Sequence, residues 1–214
     1  ASNRKANFKS NRLLKLAPSA FFFFTLPESD MQFDKFTTKA QESIQAAHSL
    51  ARQYDHAQIE PAHLLYALMT TDGGTVPPLL ERLGVLSGNL ESAVDSALKN
   101  LPKVYGQAAQ VYLSSAASRI LAKSEKEAAS FGDAYVAGEH IFLAMLEDDG
   151  TVGSILRDHG VTRTGVLEAL KTIRGNRSAN DKSAEEKYRV LEKYCRDLTA
   201  LARREKLDPV IGRD

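Results

Sequence analysis

Tryptophan is missing from this 214-residue chain, and cysteine occurs once, at Cys195. A lone cysteine excludes an internal disulfide, and no set of His, Cys and carboxylate residues has the spacing of a zinc site. Neither sign of charge dominates: 28 Lys and Arg stand against 27 Asp and Glu. Nothing therefore draws the chain as a whole toward nucleic acid or an anionic membrane. Its most apolar stretch, Phe21 to Phe24, is hemmed in by Pro18 and Pro27 and is too short to span a bilayer. The phosphate-loop pattern Gly-x-x-x-x-Gly-Lys-Ser/Thr is absent as well. Gly73-Gly74 and Gly150 lack the following Lys and hydroxyl that would hold phosphate and magnesium, so this sequence offers ATP no cradle of that kind.

What is present is a duplication. Two stretches match at an offset of about 76 residues, with His63 placed on His140. Ala40, Ile44, Ala51, Tyr54 and Ala67 then fall on Ala117, Leu121, Ala128, Phe131 and Ala144. After a one-residue slip, Asp72, Gly74-Thr75-Val76, Leu80 and Gly84-Val85 fall on Asp148, Gly150-Thr151-Val152, Leu156 and Gly160-Val161. Ordered self-similarity of this kind marks a repeated supersecondary unit.

Each unit reads as four helices. Thr38 with Gln41 forms a capping box for a first helix to about Tyr54, whose Ile44, Ala47 and Ala51 line one face. Pro61 suits the first turn of a second helix, where a missing N–H costs nothing. Val76 to Leu83 and Leu90 to Leu98 complete the set. The second unit repeats it at Leu113 to Phe131, Glu139 to Leu146, Val152 to Asp158 and Thr164 to Ile173. The expected fold is all-α: repeat one over about 33–100 and repeat two over about 111–174, together one domain over 31–174. Residues 175–183 contain no large apolar side chain and read as a flexible linker. Beyond it, Tyr188, Leu191, Cys195, Leu198 and Ala202 form an apolar seam on a further helix.

Residues 1–30 stand apart, with five basic and two acidic side chains and no match to the repeat. They read either as translated upstream sequence or as a targeting segment for a plastid or mitochondrion.

These features resemble the N-terminal region of the Clp/Hsp100 family of AAA+ unfoldases, within it the ClpB disaggregases. The resemblance rests on Phe36-Thr37-Thr38-Lys39-Ala40, Ile59-Glu60-Pro61-Ala62-His63-Leu64-Leu65, Leu101-Pro102-Lys103-Val104 and Val111-Tyr112-Leu113-Ser114. The run Leu191 to Thr199 and the closing Leu207-Asp208-Pro209-Val210-Ile211-Gly212-Arg213-Asp214 complete it; Cys195 departs from the small residue, usually glycine, found there. The resemblance implies a two-repeat Clp N-domain, with residues 184–214 beginning a first ATPase domain that this chain does not complete. It implies no catalytic residue, cofactor or metal in this part, and ATP with magnesium in the parent protein. It further implies a cytoplasmic homohexameric parent that engages unfolded or aggregated proteins, threads them through its ring and cooperates with the DnaK system. An adaptor-docking domain of a ClpC or ClpA type unfoldase, and a stand-alone Clp-N-like binding protein, are the alternatives.

The same resemblance associates Thr37, Asp133 and Glu139 with substrate handling. Read from the residues alone, Thr37 helps a helix cap, Asp133 marks a turn and Glu139 sits near a helix N-terminus. Asp133 and Glu139 face His56 and Ala62 in repeat one, an asymmetry that favours a role beyond folding. Ile120, Leu121 and Ile141 are either the apolar lining of a groove between the repeats or core. His63 and His140, recurring at helix starts, read as packing and capping residues.

Overall fold

The computed structural model describes residues 33–104, 110–175 and 177–188. The chain divides into two units, Ala1–Met31 and Gln32–Asp214; the first lies wholly outside the described residues, as does the expected seam beyond Tyr188.

Repeat one consists of α1 (Thr38–Gln53), β1 (Gln58–Ile59), α2 (Pro61–Thr70), α3 (Val76–Arg82) and α4 (Ser87–Lys99). Repeat two consists of β2 (Tyr112–Leu113), α5 (Ser115–Phe131), α6 (Gly138–Leu146), α7 (Thr151–Asp158) and α8 (Arg163–Arg174), followed by a short α9 (Ala184–Tyr188). The four-helix count in each repeat is the one the periodicity predicts. Two starts differ. The first cap is Thr37, whose hydroxyl accepts the Ala40 N–H, while Gln41 reaches back to the carbonyls of Phe33 and Phe36. Leu113 lies in a strand rather than in α5, and Ser114 caps that helix by accepting the Ala117 N–H.

The strands explain that shift. β1 pairs in parallel with β2, Gln58 opposite Tyr112 and Ile59 opposite Leu113. Across the pseudo-twofold, Phe36 forms a parallel bridge with Val136. Those two positions correspond in the repeat to Leu113 and Ile59. The lead-in to the first helix of each repeat is thus hydrogen-bonded to the segment before the second helix of the other. Two-residue ladders carry no alternating apolar pattern, so periodicity could not announce them.

The second helices, α2 and α6, are the apolar heart of the domain. Leu64, Leu65 and Leu68 on α2 are buried, and all nine residues of α6 are. The longer α1 and α5 are amphipathic and bury one face each: Ala40, Ile44, Ala47 and Ala51 on α1, and Ala117, Ile120, Leu121 and Ala128 on α5. At roughly 1.5–3 kcal/mol for each large aliphatic side chain removed from water, this layer supplies the main favourable contribution to folding. Close approach fixes Gly153 in α7, since a Cβ there would stand 1.9 Å from the Asp148 carbonyl oxygen. Gly84 and Gly160, equivalent by repeat, take φ of +70° and +77° to end α3 and α7.

The expectation of a flexible linker over 175–183 is not what the structure shows for residues 177–183. Ala179 is fully buried, its N–H donating to Asp133 and its carbonyl accepting from the Tyr135 N–H. The lack of large apolar residues removed one source of order; main-chain hydrogen bonds supply another. In α9, Ala184, Glu185 and Tyr188 are buried.

Candidate functional site

At the start of α6 the two repeats part company chemically. In both, the histidine at the third helical position accepts the N-cap amide with Nδ1: Glu60 N–H to His63, and Ala137 N–H to His140, each at 2.9 Å. That bond fixes the tautomer, leaving Nε2 protonated and pointing at the residue seven positions back. In repeat one the recipient is His56 Nδ1, at 2.9 Å, so the pair is neutral. Burial and the neighbouring His56 press the His63 pKa down to about 4. In repeat two the facing group is Asp133, its Oδ2 3.0 Å from His140 Nε2 though not aligned as a hydrogen bond.

Asp133 is therefore a buried anion rather than a turn ornament. Arg174, the last residue of α8, forks onto both its oxygens at 2.8 and 2.6 Å, and the Ala179 N–H adds a third bond at 2.8 Å. Burial opposes the charge, but these donors hold the carboxyl below its usual range. The Arg174 guanidinium lies over the rings of Phe131 and Tyr188, with its carbon 5.5 and 5.4 Å from the two centroids. Its Nη1 is 3.6 Å from Glu139 Oε1. Burial works against this cation too, yet Glu139 and Asp133 keep its pKa above the ordinary value.

Glu139 closes the cluster, its Oε2 accepting the Thr75 hydroxyl at 2.6 Å. Thr37, beyond capping α1, donates its hydroxyl to Glu185 Oε1 at 2.8 Å, and the Gly138 N–H reaches the same oxygen at 3.2 Å. The structure thus gathers Thr37, Asp133 and Glu139 into one corner, joined through Arg174 and Glu185. All three side chains are fully buried. As the chain stands, none can touch a substrate directly, contrary to the expectation of surface contacts. Ile120, Leu121 and Ile141 are 1%, 1% and 0% exposed and belong to the core rather than to a groove lining. Both helices that carry them are packed on the opposite repeat's flank as well as on each other, which leaves these side chains no open face.

Arg174, Glu185 and Thr75 were not anticipated. One of them was detectable: Leu90, Val94 and Leu98 of α4 correspond to Val166, Leu170 and Arg174 of α8. A cation in place of the buried Leu98, together with Asp133 for His56 and Glu139 for Ala62, is a three-position exchange of a neutral corner for a charged one. Glu185 gave no such sign, because repeat one has no counterpart for it.

The place in repeat one that corresponds to this corner is open. Pro61 and Ala62 stand where Gly138 and Glu139 do, and with Leu101, Ala116, Arg119 and Val152 they line a groove of about 440 Å³. Among the described residues no group of His, Cys and carboxylates could hold a metal, and no helix is long and apolar enough to cross a membrane.

Comparison with known proteins agrees with this fold. Residues 35–159 match the Clp repeat (R) N-terminal domain. Chaperone protein ClpB of Vibrio cholerae is 44% identical over 184 residues, covering 86% of this chain and 22% of its own. Chaperone protein ClpB of Bacillus cereus is 36% identical over 187 residues, with the same coverage. The chain thus spans about 22% of the length of the curated relatives it matches. Among solved structures, the Hsp104 N-terminal domain from Candida albicans superposes with a TM-score of 0.63 at 28% identity, covering 71% of this chain and 99% of that one. The N-domain of ClpV from Vibrio cholerae, 16% identical with a TM-score of 0.56 over 65% of this chain and 85% of its own, shares the fold.

Proposed function

The chain belongs to the Clp repeat N-terminal domain family, and from that premise we propose that it is the substrate-recognition region of a ClpB-type, ATP-dependent disaggregase. On this reading the parent is a homohexameric cytoplasmic AAA+ ATPase using ATP and magnesium. The domain engages unfolded or aggregated polypeptide and delivers it to the ring for threading, in cooperation with the DnaK system.

The engagement surface is the charged corner of repeat two. The observation that carries this is that the corner already holds a non-helical stretch of polypeptide. The Ala179 and Lys182 carbonyls accept the Tyr135 and Thr38 N–H groups, and the Ala179 N–H donates to Asp133. Every backbone carries such donors and acceptors, so a site of this kind selects for unfolded chain rather than for sequence. Thr37, Asp133 and Glu139 then act by presenting helix ends and carboxylates in fixed positions, not as free surface groups.

The test is the binding of a fluorescent, reduced and carboxymethylated polypeptide to the full chain, followed by anisotropy. The unfolded form is expected to bind and its native, disulfide-intact counterpart to bind far more weakly. Equal binding of both forms, or binding of neither, refutes the reading.

A further inference from the structure

Residues 177–188 lie across two helix starts at once. The Thr38 N–H, the first of α1 and without an intrahelical acceptor, donates to the Lys182 carbonyl at 2.7 Å. The Gly138 N–H, the first of α6, donates to Glu185 Oε1 at 3.2 Å, beside the Thr37 hydroxyl. Between these anchors and α8, the Ala179 N–H meets Asp133, its carbonyl meets the Tyr135 N–H, and the Asn180 side chain accepts the Ala134 N–H at 3.3 Å. Tyr188 ends the segment against Arg174.

Two things set this contact apart from the rest of the domain. Its apolar part is small: Ala179, Ala184 and Tyr188 form one buried cluster with Ala137, and the rest of the contact is polar. It is also imperfect. Two carboxylates, Glu139 and Glu185, are buried side by side, at 0% and 1% exposure. Of six buried side-chain atoms without a hydrogen-bond partner among the described residues, Glu139 Oε1, Arg174 Nη1, Glu185 Oε2 and the Tyr188 hydroxyl lie here; His140 Nε2 adjoins them and His56 Nε2 is in repeat one. Buried polar atoms left unpaired are costly and are concentrated where a structure is meant to change. Repeat one differs here: Pro61 lacks the amide that Gly138 offers and Ala62 replaces Glu139, and, among the described residues, 101–104 meet the α1–α2 turn by one main-chain bond, Val104 N–H to the Asp55 carbonyl, beside the groove.

We propose that residues 177–188 are a reversible strap that fills the polypeptide site of repeat two in the resting chain and is displaced by an incoming extended segment, with the Glu185 side chain as its latch. This rests on the corner being the engagement surface.

Glu139 faces Glu185 from α6, Thr37 faces it from the cap of α1, and Tyr188 lies on its own helix; Arg174 of α8 and Asp133 of the α5–α6 turn complete the charged cluster around Glu139 and Tyr188. Lys39 of α1 faces the neighbouring Glu186 instead. Burial and the charge of Glu139 push the docked Glu185 carboxyl up to about 7 from its ordinary 4.5. The docked form therefore holds the proton more tightly than the released form. Docking is strongest below pH 4.5, weakens by about tenfold per pH unit up to about 7, and is level above that. Near pH 7 half of the docked Glu185 carboxyls carry a charge beside Glu139, which eases displacement by an incoming segment. Glu185→Gln keeps an oxygen for Thr37 and Gly138 and removes the charge that Glu139 opposes, which locks the strap.

The experiment is amide hydrogen exchange of the full chain, read at Ala179 and corrected for intrinsic exchange, with polypeptide binding measured in parallel. Protection of Ala179 is expected to fall roughly tenfold per unit between pH 5 and 7. Saturating carboxymethylated polypeptide should remove what remains. Glu185→Gln should hold Ala179 protected across this range and bind the polypeptide at least tenfold more weakly, whereas Tyr188→Ala should release the strap and bind it more tightly. Undiminished Ala179 protection while the polypeptide binds overturns the strap and leaves the engagement function standing. Loss of polypeptide binding in every variant, the released one included, refutes the engagement function instead, and with it the displacement step.

Discussion

Replacing Asp133 with alanine separates a buried charge network from a surface binding residue by a wide margin. The Asp133 side chain is inaccessible to solvent and accepts two bonds from Arg174 and one from the Ala179 amide, with His140 Nε2 at 3.0 Å. Removing it leaves the Arg174 side chain, itself 6% exposed, with Glu139 at 3.6 Å as its remaining carboxylate, beside the Arg177 carbonyl and the rings of Phe131 and Tyr188. Breaking a buried pair from one side costs about 3–5 kcal/mol, whereas an exposed polar change costs under about 0.5 kcal/mol. For a domain of this size each kcal/mol shifts the melting temperature by roughly 2–4 °C, so a fall of about 6–20 °C is expected. The assay is thermal unfolding by far-UV circular dichroism, with urea unfolding to confirm an unchanged dependence on denaturant. His56→Ala is the control: it removes one neutral bond at the equivalent place and should cost about 1–3 kcal/mol. Asp133→Ala melting with the parent chain would refute the network as a structural element.

Three further outcomes follow from the same geometry. The combination Asp133→His, Glu139→Ala and Arg174→Leu copies the repeat-one set His56, Ala62 and Leu98; it should recover most of the stability lost in Asp133→Ala, because a whole buried ion cluster can be exchanged for packed neutral groups at little net cost. Urea midpoints measure it. Thr37→Ala removes a cap and the donor to Glu185, while Ser114→Ala removes a cap alone; the first should cost more than the second, whose loss is about 1 kcal/mol. Finally, His63 is held neutral by burial, with its pKa lowered to about 4 from 6.5. The folded state sheds that proton, so stability is intact above pH 6.5 and declines as pH falls toward 4, by up to about 3 kcal/mol. Parallel urea titrations of the parent and His63→Gln should show that acid-induced loss in the parent only.

The helices were legible because burial on one face writes a period into the sequence. Ala40, Ile44, Ala47 and Ala51 spell α1, and Gly84 and Gly160 punctuate equivalent ends. The duplication added a second, independent reading of the same fold. What stayed hidden is held by groups common to every residue. The parallel ladders use main-chain atoms, and so does the docking of Ala179, which composition alone marked as loose. The site was half legible. Asp133 and Glu139 stood out against His56 and Ala62, but their depth did not, since carboxylates are seldom buried without a partner and that partner, Arg174, is 35 residues further along the chain than Glu139. Ile120, Leu121 and Ile141 could be core or lining by pattern alone, and burial decides for core.

The crossed lead-ins have an ancestral reading. Phe36 bridges to Val136 and Leu113 to Ile59, so each half lends its leading edge to the other. A single repeat has no such edge to receive; it could satisfy the same ladder only by pairing with a second copy of itself about a twofold axis. Joining two copies end to end turns that dimer into one gene product. It also ends the constraint of symmetry: in a homodimer a mutation strikes both sites together, whereas in the fused chain one corner was free to become Gly138, Glu139 and Arg174 while the other kept Pro61, Ala62 and Leu98.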